Sequence, residues 1–291
     1  MDATLDSRDF GKLRVHYRVH GQGPPLLLVH GLMTSSYSWR YVLEPLAAHF
    51  TVYAPDLPGA GRTAKPDAPY HPDALAGWIA DFQRQVGIRG SATIGNSLGG
   101  YLCMRLALRD PGAMSRLVNL HSPGVPLARL HALHAVLSLP GSTALLAKLV
   151  AGDPERWVHR NVHYFDETLK SREETREYAA ALRTREGLVA FARVLRETLA
   201  PSHMAAFTRE LDARRERGER FPIPLQLVYV PRDPMVPPRV GERLRARIPD
   251  AEFVRLEAAS HFAHVDNPTG FLAAALPFLS GGAGSAPAGR A

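Results

Sequence analysis

The chain has one cysteine, Cys103, in 291 residues. No intramolecular disulfide can therefore hold it together. It has no run of about 18 apolar residues, the length a helix needs to span a bilayer. The richest stretch, Leu127 to Val150, is broken by Arg129, His131, His134, Pro140 and Gly141. Lysine is scarce, with only Lys12, Lys65, Lys148 and Lys170. The formal charge of +7 thus rests almost wholly on scattered arginines. In the densest run, Asp212 to Arg220, arginines mix with Asp212, Glu216 and Glu219. That mixture reads as a solvated helix end and not as a nucleic-acid surface. Residues Met1 to Phe10 hold three aspartates and no apolar stretch, so no signal peptide is expected. These absences point to a cytoplasmic protein with no membrane span and no nucleic-acid partner. They leave the oligomeric state open.

What is present is ordinary for a globular chain: 45% hydrophobic and 22% charged residues. Leu13, Val15, Tyr17 and Val19 alternate with polar residues, the period of a half-buried strand. Leu26 to Val29 is a short apolar run, the mark of a strand buried on both faces. Trp39 to His49 has helical spacing. A strand over Thr51 to Ala54 and a helix over Ala74 to Val86 follow. Then come a strand at Ala92 to Ile94, a helix at Leu98 to Leu108 and a strand at Leu117 to Leu120. Such alternation predicts a parallel sheet with helices on both faces. From Pro123 to Phe221 only helical patterns appear. The rhythm resumes with strands at Leu225–Val230 and Glu252–Leu256 and helices at Arg239–Arg247 and Pro268–Leu279. The reading is an α/β core over 1–122 and 222–280, a helical cap over 123–221 and a disordered tail over 281–291. An insertion after a parallel strand emerges where such sheets bind ligands.

Gly95-Asn96-Ser97-Leu98-Gly99 follows one strand and opens a helix. A serine at such a sharp turn stands exposed above the helix N-terminus. Its hydroxyl needs a base within reach, and the base needs an orienting acid. Asp233 and His261 each lie just beyond a core strand, on the same sheet edge as Ser97. His264 is a second, less well placed histidine. An oxyanion needs two amides. Leu98, after the serine, supplies one, and Leu32 in His30-Gly31-Leu32 can supply the other. His131 with His134, and His159 with His163, have helical spacing, but no carboxylate completes a metal site, so no metal is expected. Gly21-Gln22-Gly23 precedes a strand and reads as a turn, not a dinucleotide loop.

Together with Asp56-Leu57-Pro58-Gly59-Ala60-Gly61-Arg62, Arg232-Asp233-Pro234 and Ser260-His261-Phe262, these motifs make the chain resemble the α/β-hydrolase fold over roughly residues 12–122 and 222–279. The resemblance implies a Ser97, His261 and Asp233 triad and an oxyanion hole of the Leu32 and Leu98 amides. It implies that Asp56 braces a loop. The run His30 to Arg40 is similar to haloalkane dehalogenases and epoxide hydrolases, which use an aspartate where this chain has Ser97. Dehalogenases also bind halide with Asn and Trp side chains, where this chain has Leu32 and Leu98. Asn96 resembles the residue before the serine in C–C bond hydrolases of ring-fission products. Those carry Trp after the histidine, where Phe262 stands here.

The expected function is a cofactor-free serine hydrolase cleaving a small to medium apolar carboxylic ester, with a small-molecule substrate as its partner. C–C bond hydrolysis and perhydrolysis are alternatives on the same triad. A ligand receptor on the hydrolase fold is an alternative of another class.

Overall fold

The computed structural model describes residues 1–281. The expected tail over 281–291 therefore lies, Gly281 apart, outside the described residues. Eight strands form one sheet: β1 (Asp2–Ser7), β2 (Gly11–His20), β3 (Pro25–Val29), β4 (Thr51–Pro55), β5 (Ser91–Asn96), β6 (Met114–Leu120), β7 (Leu225–Tyr229) and β8 (Glu252–Arg255). Their order is β1-β2-β4-β3-β5-β6-β7-β8. β1 and β2 pair antiparallel, and β2 joins β4 antiparallel; all pairings from β4 to β8 are parallel. β1 was not foreseen, because its acids left no apolar alternation. It forms by pairing with β2, in a register that sets Leu5 beside Leu13.

Side-chain alternation divides the core in two. In β3, Leu27 and Val29 face one layer while Leu26 and Leu28 face the other. The first layer holds α2 (Pro72–Gln85) and α3 (Leu98–Arg109), with the fully buried Trp78. The second holds α1 (Leu43–Ala47) and α12 (Pro268–Leu279), with the fully buried Trp39. Each buried leucine contributes about 1.5–3 kcal/mol through lost water contact. Both faces must be covered, which is why these strands read as apolar runs. The helix expected over Trp39 to His49 is instead a tight turn at Ser36–Trp39 followed by the short α1. Ser35 caps that turn by accepting from the Tyr37 amide.

Between β6 and β7 the chain builds six α-helices, α4 (Ala128–Leu137), α5 (Ser142–Gly152), α6 (Pro154–Asn161), α7 (Arg172–Ala180), α8 (Arg185–Thr198) and α9 (Pro201–Glu216). Their starts follow side-chain chemistry: Asp153, Ser171 and Thr184 each accept from an amide of the first turn. The insertion has its own apolar cluster, which includes Val158, Tyr178 and Phe191 together with Phe262 and Val265 from the core. It therefore packs directly over the loop after β8. After β7 come α10 (Arg239–Arg245) and, beyond β8, α11 (Ala263–Asp266) before α12. No single helix among the described residues is long and apolar enough to cross a membrane.

Candidate active site

Ser97 sits between β5 and α3 with φ +52° and ψ −119°. A non-glycine residue there stores about 1–3 kcal/mol of strain. The bend is held from both sides: Ser97 N–H donates to the Leu120 carbonyl at 2.8 Å, and its own carbonyl accepts from Tyr101 N–H at 3.1 Å. Neighbouring glycines permit it. A Cβ on Gly99 would lie 2.2 Å from the Val29 oxygen, and one on Gly95 2.6 Å from Gly100 Cα.

The loop after β3 comes against this bend. A Cβ on Gly31 would lie 3.0 Å from Ser97 Cβ. The Gly31 carbonyl accepts from Thr34 Oγ1 at 3.1 Å and meets His30 Nδ1 at 2.8 Å. Because a trans peptide is planar, pinning that carbonyl one way aims the Leu32 N–H the other way. That amide donates to no protein acceptor among the described residues. Met33 follows with φ +64°, completing a strained turn. His30 is held neutral by burial, and its Nε2 accepts from Leu57 N–H at 2.9 Å.

The loops after β7 and β8 bring Asp233 and His261 together, with Nδ1 and Oδ2 2.7 Å apart and both groups buried. Asp233 Oδ1 accepts from the Met235 and Val236 amides at 2.6 and 2.8 Å. Burial opposes the ionisation of this carboxyl. His261, with help from the Val236 amide, outweighs that and holds it below the usual carboxylate range. Ser97, Leu32, Leu98 and His261 all line one cavity of about 450 Å³. Leu130, Leu133, Leu137, Leu146, Leu195 and Leu199 from the insertion form much of its wall. Arg129 is the one guanidinium in that wall, and its Nη1 donates to the Pro234 carbonyl at 2.8 Å.

Other sequence expectations fall as follows. Asp56 braces its loop, accepting from the Ser36 amide at 2.7 Å and the Arg62 amide at 2.8 Å. Cys103 is buried, which raises its thiol pKa and keeps it protonated. His264 is buried against Trp39, ring centroids 4.4 Å apart, and does not meet Asp233. Among the described residues no group of three or more His, Cys, Asp or Glu side chains is arranged to hold a metal. His134 instead faces the Arg196 carbonyl, and His163 faces Glu167.

Two residues beside these groups make contacts that the sequence reading did not assign. Asn96 Nδ2 donates to the His261 carbonyl at 3.2 Å, tying the serine turn to the histidine loop. A polar residue in a wholly buried strand demands such a partner, and that was the available signal. His121, at the end of β6, is fully buried with φ +53°. Its Nδ1 lies 3.5 Å from Asp233 Oδ2, and burial pushes its pKa down to about 3. Only the convergence of β6 and β7 brings it there.

The strand order, the strained serine bend and the inserted helices describe one known architecture, and a family profile described as alpha/beta hydrolase fold matches residues 24–268. The chain belongs to the α/β-hydrolase family. An uncharacterised protein of Mycobacterium tuberculosis is 29% identical to this hydrolase-family chain over 282 residues, covering 92% of this chain and 79% of its own. The 2-hydroxy-6-oxo-6-(2'-aminophenyl)hexa-2,4-dienoic acid hydrolase of Metapseudomonas resinovorans is 27% identical over 274 residues, covering 93% and 89%. The solved epoxide hydrolase CorEH superposes with a TM-score of 0.80 at 21% identity, covering 97% of this chain and 99% of that one. At that identity the likeness carries the fold alone.

Proposed function

We propose that this α/β-hydrolase is a serine hydrolase acting on apolar carboxylic esters. The observation that carries the reading is one cavity wall shared by strained Ser97, by His261 paired to buried Asp233 and by a sheath of leucines. In this mechanism Ser97 Oγ attacks the acyl carbon while His261 Nε2 takes its proton. Asp233 holds the Nδ1–H tautomer and stabilises the imidazolium. The Leu32 and Leu98 amides receive the oxyanion, aimed beforehand so that no reorganisation is needed as charge develops. His261 then protonates the leaving alcohol, and a water activated by the same nitrogen releases the acid. Every step uses side chains and amides of the chain itself. Residues 123–221 act as the cap, and those of their leucines that line the cavity select the acyl group.

A fluorophosphonate mimics the tetrahedral oxyanion and is expected to label Ser97 one-to-one, read by intact mass and peptide mapping. Steady turnover of p-nitrophenyl esters, lost in Ser97→Ala, separates an enzyme from a ligand receptor. Labelling at another residue, or full activity in Ser97→Ala, overturns the assignment.

A second reading is C–C bond hydrolysis of a dienoic acid. It is supported by the Metapseudomonas relative and by Arg129, a cation in the wall that can meet a substrate carboxylate. Dienoate turnover exceeding that of every ester in a chain-length panel would favour it.

A further inference from the structure

Helices α4 and α5 meet at a 96° elbow. Each is apolar around most of its circumference, yet each buries only one residue, Leu137 and Val150. Leu133, Val136, Leu139, Leu145 and Leu149 are exposed, the last four by 56–63%. They make up five of the nine large exposed hydrophobics among the described residues. A helix apolar on all sides is normally covered, and so dense an exposed patch marks an interaction surface.

Charge identifies the cover. Residues 128–152 contain no aspartate or glutamate, but hold Arg129, Lys148, His131 and His134. Lys148 and His131 are exposed beside the leucines. A second copy laid face to face would set Lys148 against a face whose own two helices carry no acid. An anionic headgroup layer would pair Lys148 while its acyl boundary took the leucines.

The patch also continues into the cavity. Leu133 is 37% exposed and yet lines the same cavity as Ser97. The elbow therefore joins the outer apolar surface to the cavity wall.

We propose that the α4–α5 elbow docks the protein on anionic bilayers, shallowly and without spanning, so that apolar substrate enters the cavity from the lipid. The test is co-sedimentation of the full chain with vesicles of phosphatidylcholine alone, or with about a third phosphatidylglycerol. Binding is expected to the mixed vesicles, falling as salt rises. L139E/L149E is expected to bind at least about tenfold more weakly. K148E, which removes a cation and adds an anion, should bind at least about fivefold more weakly. Both variants should keep the wild-type melting temperature and turnover of a water-soluble ester, since none of these side chains lines the cavity. L145S, a milder change, guards against misfolding of the double variant and should weaken binding in the same direction. Ser97→Ala should bind vesicles as the wild type does, so docking is read independently of the proposed chemistry. Failure to sediment with mixed vesicles overturns the proposal, as does unchanged binding by folded L139E/L149E. A solution dimer that L139E/L149E dissociates, without vesicle binding, overturns it in favour of a second copy.

Discussion

Asp233→Asn tests the proposed mechanism most sharply, because the two carboxylate oxygens are held differently. Oδ1 accepts two amides, from Met235 and Val236, while Oδ2 faces His261 Nδ1 at 2.7 Å. An asparagine keeps both amide bonds only if its oxygen stays at the Oδ1 position. Its NH2 then points at His261 and forces Nδ1 to accept, which puts the proton on Nε2. In that tautomer the ring cannot take the Ser97 proton. Turning the amide over restores the tautomer but orphans two backbone N–H groups, at about 1–3 kcal/mol each. The total of about 2–6 kcal/mol leaves the productive arrangement populated at about one part in 30 to one part in 10⁴. The expected loss in kcat is therefore about 30-fold to 10⁴-fold, its upper end that of the best-studied triad. Steady-state turnover of a p-nitrophenyl ester measures it. Nitrogen NMR of His261 should show Nδ1–H in the wild type and Nε2–H in the variant. A kcat within about fivefold of wild type, or a low kcat with the tautomer unchanged, would refute the reasoning.

Four further outcomes are expected. His121 in the folded chain takes a proton only near pH 3, whereas the unfolded chain takes it near 6.5. Its contribution is thus full above about pH 6.5 and lost toward pH 3, at about 1.4 kcal/mol per unit. In His121→Asn, which tolerates positive φ, the slope of stability against pH over that window should flatten by this amount, as read by urea titration. Asn267, and not Asp266, caps α12 by accepting from Gly270 N–H. Asp266 instead accepts from the Ser260 amide and hydroxyl and from the Phe165 amide, clamping the insertion to the His261 loop. Asp266→Asn should therefore cost about 2 kcal/mol of stability, more than a helix-end charge alone, while kcat falls far less than in Asp233→Asn. Gly99→Ala would set a Cβ against the Val29 carbonyl, so the variant should lose measurable folding by near-ultraviolet circular dichroism. Leu146→Trp fills cavity space and should shift the ester panel toward shorter acyl chains; an unchanged ranking would remove α5 from substrate selection.

The sequence by itself determined the architecture. Apolar runs such as Leu26–Val29 can be satisfied only between two helical layers, and Gly95 to Gly99 permits only a sharp strand-to-helix bend. Both are local constraints, so both are legible in order along the chain. The positions of Asp233 and His261 just past strand ends were legible for the same reason: parallel strands deliver their loops to one edge. The structure brings those two side chains together. What the sequence could not determine is what arrives at that edge from elsewhere. His121 reaches Asp233 because β6 and β7 are neighbours, although Val228, whose carbonyl accepts from the His121 N–H, lies 107 positions further along the chain. Asp266 stands just ahead of α12 in the sequence, and its distant partner Phe165 approaches it only when the insertion folds down. The acids of β1 hid a strand that only pairing with β2 creates. The leucines of α4 and α5 are alike in the sequence, and only the tertiary packing divided them into cavity wall and exposed elbow. Local propensity is written residue by residue, but burial is a property of what else the chain brings near.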